Sequence, residues 1–325
     1  MQPPSTGGDG TVAGLGERAL VAAVTARYPQ GEGVLVGPGD DAAVVAAPDA
    51  RVVVTTDVLV EGVHFRRDWS PAHDVGRKAA AQSLADVAAM GAVTTSLVVG
   101  LAAPADLPAS WALELADGLR EESALVGASV VGGDVVSSPV LTVAVTALGD
   151  LQGRAPLTRT GARPGDVVAV AGRLGWSAAG LAVLRRGFRS PRALVQAHRC
   201  PEPPYAAGPL AAALGATSLV DVSDGLVLDL GHVARGSGVD LLLRRDALEV
   251  PGPVRDAAAA LGADPYAWLL AGGEDHALAG TFPAGAELGA AWTVLGEAAA
   301  AGEGGPRVLV DGAPWEGEAG YDHFG

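Results

Sequence analysis

Apolar residues recur at helical spacing over residues 17–28, and short Val-rich runs at 33–36, 42–47 and 52–56 follow, separated by Gly, Pro and Asp. The first pattern predicts a helix and the runs predict strands. The Ala-rich stretch 73–90 predicts a long helix, closed by Gly91 at its C-cap. A strand at 94–101, a helix at 108–126 opening on Pro108 and a strand at 140–148 complete the first half. Over 151–165 the pattern gives way to a linker rich in Gly, Pro and Arg, which sets domains of residues 1–150 and 151–325. The second half predicts a strand at 166–171, helices near 177–186 and 205–214, and a strand at 218–222 leading into a helix at 226–234. Its tail reads as weaker strands and loops. Strands and helices mixed in both halves define two α/β or α+β domains.

Charge narrows the range of partners. The 325 residues carry 37 acidic and 22 basic side chains, a formal net charge of −15, with a pI near 4.7. A field of that sign repels phosphate backbones and anionic lipid, which argues against nucleic-acid and membrane partners. A phosphate substrate would need cations brought to the site. Cys200 is the single cysteine, so an internal disulfide, a four-cysteine zinc site and an iron–sulfur cluster are excluded, and a reducing cytoplasm fits. The first ten residues have neither the basic nor the apolar region of a signal peptide. Mean hydropathy is +0.29, spread over short segments. The apolar run 93–101 is too short to span a bilayer. The expectation is a soluble, cytoplasmic protein.

Standard catalytic motifs are missing. Lys78 is the only lysine, and its neighbours form no Walker A loop; there is no Gly-x-Ser-x-Gly elbow and no His-Glu-x-x-His pair. The segment Gly37-Pro38-Gly39-Asp40-Asp41-Ala42 imitates a dinucleotide fingerprint. A predicted strand rather than a helix follows it, however, and two carboxylates stand where an anion would bind.

What remains is a set of aspartates at predicted strand ends and turns: Asp40, Asp41, Asp57, Asp134, Asp221 and Asp224. Asp86 lies within the long helix, four residues after Gln82 and eight after Lys78, so the three share a face. Hard oxygen ligands beside glycines suit Mg²⁺, which also takes waters and substrate phosphates. Taken singly, an aspartate in a Gly-containing turn serves turn chemistry equally well. Ser223 is a candidate helix N-cap, and His64 and Arg159 read as ordinary polar residues. Spacing alone leaves both readings open.

Taken in order, several segments resemble the thiamine-monophosphate kinase family. They are Gly37–Ala42, Thr55-Thr56-Asp57 through His64-Phe65, 84–92 (LADVAAMGA), Gly132-Gly133-Asp134, 159–166 (RTGARPGD), 221–226 (DVSDGL), Gly272-Gly273-Glu274-Asp275 and Gly320-Tyr321-Asp322-His323-Phe324. The resemblance implies a two-domain fold like that of aminoimidazole ribonucleotide synthetase, with N-terminal sheets pairing across a homodimer. Residues 1–150 would bind ATP and Mg²⁺ and dimerise, and 151–325 would complete the active site. The implied reaction is direct, in-line, Mg²⁺-assisted transfer of the γ-phosphate of ATP to thiamine monophosphate, giving thiamine diphosphate. By position, Asp40, Thr55, Thr56, Asp57, Asp86, Asp134, Asp221 and Asp224 look like ligands of several Mg²⁺ ions, with Asp57, Asp86, Asp134 and Asp221 carrying the catalysis. Gly133, Asp134, Arg159 and Ser223 look like ATP contacts, and His64, Glu274 and Tyr321 like contacts to the acceptor. Two positions depart from the family pattern: Thr55 replaces a common serine, and His276 stands where tyrosine is frequent.

Relatives of the same fold fit less well. Selenophosphate synthetase usually has a reactive Cys or selenocysteine near its start, and the hydrogenase-maturation relative ends in cysteine; here the leader has no cysteine and the end is Phe324-Gly325. A non-catalytic regulator that binds nucleotide and Mg²⁺ would account for the ligand set but not for His64, Glu274 and Tyr321.

Overall fold

The computed structural model describes residues 10–39, 42–317 and 320. The chain divides into two units, Met1–Leu84 with Thr94–Asp150, and Ala85–Val93 with Leu151–Gly325.

In chain order, the first unit carries α1 (Val12–Leu15), α2 (Glu17–Thr25), β1 (Val34–Val36), β2 (Val44–Val45), β3 (Val53–Val60), most of α3 (Ala72–Ala89), β4 (Val93–Ala103), α4 (Ala109–Ala124), β5 (Ser129–Ser137) and β6 (Thr142–Asp150). Four of these strands form one sheet in the order β3-β6-β4-β5, with β3–β6 antiparallel and β4–β5 parallel. Strand alternation sends Leu59, Val143, Val145 and Ala147 into the core. The helices α3 and α4 cross closely because each has a glycine at the contact. A Cβ at Gly76 would lie 2.1 Å from the Leu115 carbonyl oxygen, and one at Gly118 would lie 2.0 Å from that of His73. The other face of the sheet is open, with Val54 65% and Val136 50% exposed and Val58 and Val98 also on the surface.

The second unit adds β7 (Val167–Ala171), α5 (Trp176–Arg185), α6 (Arg192–Arg199), α7 (Ala207–Ala213), β8 (Ser218–Val222), α8 (Leu226–Ser237), β9 (Val239–Leu243), α9 (Gly252–Leu261), α10 (Pro265–Ala271), β10 (Ala277–Phe282), β11 (Trp292–Ala300), β12 (Val308–Val310) and β13 (Ala313–Pro314). Its seven strands run β13-β12-β9-β11-β7-β10-β8. Every residue of β10 is buried, and Phe282 meets Trp292 edge-on at 4.8 Å among Ala169, Leu219 and Leu278. Among the described residues, no helix is long and apolar enough to cross a membrane.

Two differences from the sequence reading bear on the site. The run predicted at 52–56 continues to Val60, so Asp57 lies inside a strand rather than after its end. The Gly132-Gly133-Asp134 segment, predicted as a turn, lies inside β5. Glycine is required there by sterics, since a Cβ on Gly133 would fall 2.0 Å from the Val99 carbonyl oxygen on the paired strand. In the tail, expected to hold only strands and loops, α9 and α10 form as well.

Candidate active site

In the first unit the alternation of β3 separates its polar residues. Asp57 points to the helical side, where the buried Ser83 of α3 donates its hydroxyl to Asp57 Oδ2 at 2.7 Å. Thr55 shares that face by the period of two. Thr56 projects to the open face, where its hydroxyl donates to the Val145 carbonyl at 3.2 Å and accepts from Thr146 at 3.1 Å. The Thr56 hydroxyl is therefore not brought to Asp57. Asp134 pairs with Gly100 across β4–β5; it is exposed on the edge strand, and its Oδ1 accepts from the Val135 N–H at 2.9 Å.

The loop after β3 is held by Lys78, which is 2% exposed and whose Nζ donates to the His64 carbonyl at 3.0 Å. The Val60 N–H donates to His64 Nδ1 at 3.0 Å, which assigns the ring proton of the neutral form to Nε2. A largely apolar pocket, enclosing about 60 Å³, lies beside Gly133 and Asp134, lined also by Tyr28, Val99, Leu115 and Leu119.

In the second unit the end of β8 gathers acidic groups. Asp221 is buried, and its Oδ2 lies 3.3 Å from Nδ1 of the equally buried His276. Burial alone would lower the His276 pKa, but the hydrogen bond and charge of Asp221, with the charges of Glu274 and Asp86, raise it above the ordinary value. The structure thus brings Asp86, Asp221 and Glu274 into one electrostatic neighbourhood around an imidazole.

Just beyond, α8 is not capped by Ser223, whose carbonyl instead accepts from the Glu274 N–H at 2.7 Å. The buried Asp229 within α8 instead ties down the turn before the helix, its Oδ2 accepting from the N–H groups of Asp224 and Gly225, each at 3.0 Å. Burial, with the charges of Asp221 and Asp224, pushes the Asp229 carboxyl up to about 7. Arg159 is exposed. It lies near His232, whose pKa is lowered first by burial and then by the charges of Arg159 and Arg235.

These donors are hard oxygens, the chemistry that suits Mg²⁺. In the first unit the buried Gln82 Oε1 has no hydrogen-bond partner among the described residues, a hard oxygen left open to a hydrated cation. Among the described residues no group of three or more His, Cys, Asp or Glu is gathered so as to hold a metal ion. Mg²⁺ keeps several ligands for waters and phosphates. Asp40 and Tyr321 lie outside the described residues.

Sequence reasoning missed three features: Asp229, the cavity beside Gly133, and His198, which lies 3.3 Å from Glu274. Asp229 had a signal, as a lone carboxylate among the apolar residues of α8. The other two arise from tertiary packing.

The fold and the carboxylates define a class. The family described as AIR synthase related protein, N-terminal domain, matches residues 39–151. The thiamine-monophosphate kinase of Mycobacterium tuberculosis is 50% identical over 316 residues, covering 97% of this chain and 93% of that protein. The crystal structure of thiamine monophosphate kinase from Aquifex aeolicus superposes with a TM-score of 0.77 at 32% identity, over 83% of this chain and 90% of that one. AaThiL complexed with AMPPCP and TMP gives a TM-score of 0.79 at 32% identity, over 95% and 97% of the two chains. The chain belongs to the thiamine-monophosphate kinase family of enzymes.

Proposed function

We propose that this protein transfers the γ-phosphate of ATP directly to thiamine monophosphate, with Mg²⁺ held by its carboxylates, and that it works as a homodimer. The observation that carries this reading is the crowding of acidic groups at the end of β8, where Asp229 is pushed up to about 7 by burial and by Asp221 and Asp224. Such a carboxylate-rich site suits cations that arrive with phosphates. The relative solved with AMPPCP and TMP supports the same pair of substrates here.

Both substrates are anionic, and the chain's net charge of −15 adds to the repulsion, so the task is positioning and charge neutralisation. Bound Mg²⁺ supplies that neutralisation. Asp57, fixed by Ser83, and Asp221, fixed by His276, act as rigid ligands. Asp40, Thr55, Asp86, Asp134 and Asp224 serve beside them, with Thr56 limited to its main-chain oxygen. Gly133, Arg159 and Ser223 contact ATP, and the apolar cavity beside Gly133 takes the flat adenine ring.

His64, with Nδ1 already accepting from Val60, offers Nε2–H to the acceptor, which Glu274 and Tyr321 also contact. The acceptor phosphate is ionised at neutral pH, so no strong general base is needed and no phosphoenzyme forms. The open valine face of the β3-β6-β4-β5 sheet supports an isologous dimer. Use of ATP and the single cysteine agree with a cytoplasmic location.

The test is turnover with ATP and Mg²⁺. Thiamine monophosphate should be converted to thiamine diphosphate and free thiamine left untouched, because only the former carries the phosphate that metal ions hold. Efficient phosphorylation of thiamine overturns the reading.

A further inference from the structure

The segment Gly272–His276 is held in an uncommon conformation. Glu274 has φ +63° and His276 φ +52°, left-handed values that non-glycine residues adopt only where the surroundings impose them. The ties are visible. The Glu274 N–H donates to the Ser223 carbonyl at 2.7 Å and the His276 N–H to that of Val222 at 3.0 Å. A Cβ at Gly273 would lie 2.3 Å from the Ser223 oxygen. The main chain of Glu274 is therefore pinned to the end of β8, while its side chain, 29% exposed, has three rotatable bonds left to fix.

His198 supplies the fixing contact. It lies in the last turn of α6 and is 5% exposed, and its Nδ1 is 3.3 Å from Glu274 Oε2. The same Nδ1 lies 3.2 Å from the Ser177 hydroxyl, and the Ser177 N–H donates to Oδ1 of the buried Asp275 at 2.8 Å. Close packing of α5 on α6 makes this possible: a Cβ on Gly180 would fall 2.0 Å from the Leu194 carbonyl oxygen and 2.9 Å from the His198 Cβ. A lone pair on Nδ1 would face the carboxylate and repel it, so electrostatics assigns a proton to Nδ1, and this one N–H is shared between Glu274 Oε2, where it is charge-assisted, and the Ser177 oxygen, which accepts.

We infer that His198 is a positioning residue for the acceptor: anchored by Ser177, it holds the Glu274 carboxylate ready for the cationic, amino-bearing part of thiamine monophosphate. The inference rests on the reading of Glu274 as an acceptor contact. Holding a long acidic side chain in place beforehand removes its ordering cost from substrate binding. The effect falls on acceptor affinity and leaves ATP affinity and the chemical step alone.

The test compares His198→Leu, His198→Asn, His198→Gln and Glu274→Gln in the full chain, with a thermal melt for each. His198→Leu should raise KM for thiamine monophosphate about tenfold, the scale of one hydrogen bond to a charged group, with KM for ATP and kcat within about twofold. His198→Asn, whose amide N–H falls near the place of Nδ1, should recover most of the loss, and His198→Gln should not. Glu274→Gln reports on Glu274 independently and should also raise the acceptor KM. If Glu274→Gln raises it while His198→Leu does not, the positioning role is overturned and the Glu274 reading stands. If Glu274→Gln leaves it unchanged, the Glu274 reading falls and takes the inference with it. Should His198→Leu fail to fold, equal acceptor KM values for the Asn and Gln variants overturn the inference.

Discussion

Replacing Asp57 by asparagine separates a metal ligand from a residue that serves only its strand. Asp57 sits inside β3, and its Oδ2 accepts from Ser83 at 2.7 Å. Asparagine has the same size and keeps an oxygen to accept that bond, while Ser83 has the Val145 carbonyl at 3.2 Å as a second acceptor. A bond to a charged group becomes a bond to a neutral one, a change of about 1 kcal/mol, and a thermal melt should fall by only a few degrees, roughly 2–4 °C. Catalysis loses far more. One unit charge removed about 4 Å from a cation, at an effective dielectric of about 20, is worth about 4 kcal/mol. Discounting for solvent and rearrangement still leaves about 2.7 kcal/mol, a hundredfold in turnover. Raising Mg²⁺ should recover part of it. The assay is turnover against Mg²⁺ concentration for both proteins, with the melt as folding control. Near-parental turnover of Asp57→Asn at low Mg²⁺ would refute the reasoning and return Asp57 to a purely structural role.

Gly133→Ala forces the main chains of β4 and β5 apart by roughly 1 Å, because its Cβ would lie 2.0 Å from the Val99 oxygen; it should cost about 1–3 kcal/mol and raise KM for ATP, and an unchanged melt would contradict the steric argument. Burial pushes the Asp275 carboxyl up to about 7 against the N–H groups of α5 that favour its charged form. The folded chain therefore keeps a proton that the unfolded chain releases near pH 3.9, so Asp275 lowers stability as pH rises from about 4 to 7. Asp275→Asn should accordingly melt increasingly above the parent between about pH 5 and 8, whereas a constant offset would count against the shift. Val58→Asp places a charge on the open sheet face and should yield monomers in light scattering, where the parent gives a dimer mass; a parent that is already monomeric and fully active removes the dimer.

Legibility of the sequence followed how local the determining physics is. The helix α3 was readable because its Ala-rich run ends at Gly91, whose φ of +74° is the left-handed stop that glycine supplies. Strand β8 was readable from the short run Ser218-Leu219-Val220-Asp221-Val222, with its β-branched valines. Strand β5 was not, since Gly132-Gly133 signals a turn locally and only the neighbouring Val99 carbonyl reveals why glycine stands inside a strand. Likewise, Ser223 had the right identity for an N-cap, yet the cap position is Gly225 and no side chain caps α8; Asp229, further along the helix, instead accepts from the N–H groups of Asp224 and Gly225 before it. The ordered motifs named the candidate carboxylates. Which of them share a face, and that His198 approaches Glu274, depends on strand alternation and on the α5–α6 crossing that Gly180 permits.

The central claim is direct phosphoryl transfer to a phosphate acceptor, and a single-turnover quench with γ-labelled ATP, Mg²⁺ and thiamine monophosphate tests it most directly. The account predicts that label passes from ATP to the terminal phosphate of thiamine diphosphate, with none on the protein at any time and none transferred when free thiamine replaces the acceptor. Label trapped covalently on the protein before product forms, or appearing in a monophosphate made from thiamine, would contradict it.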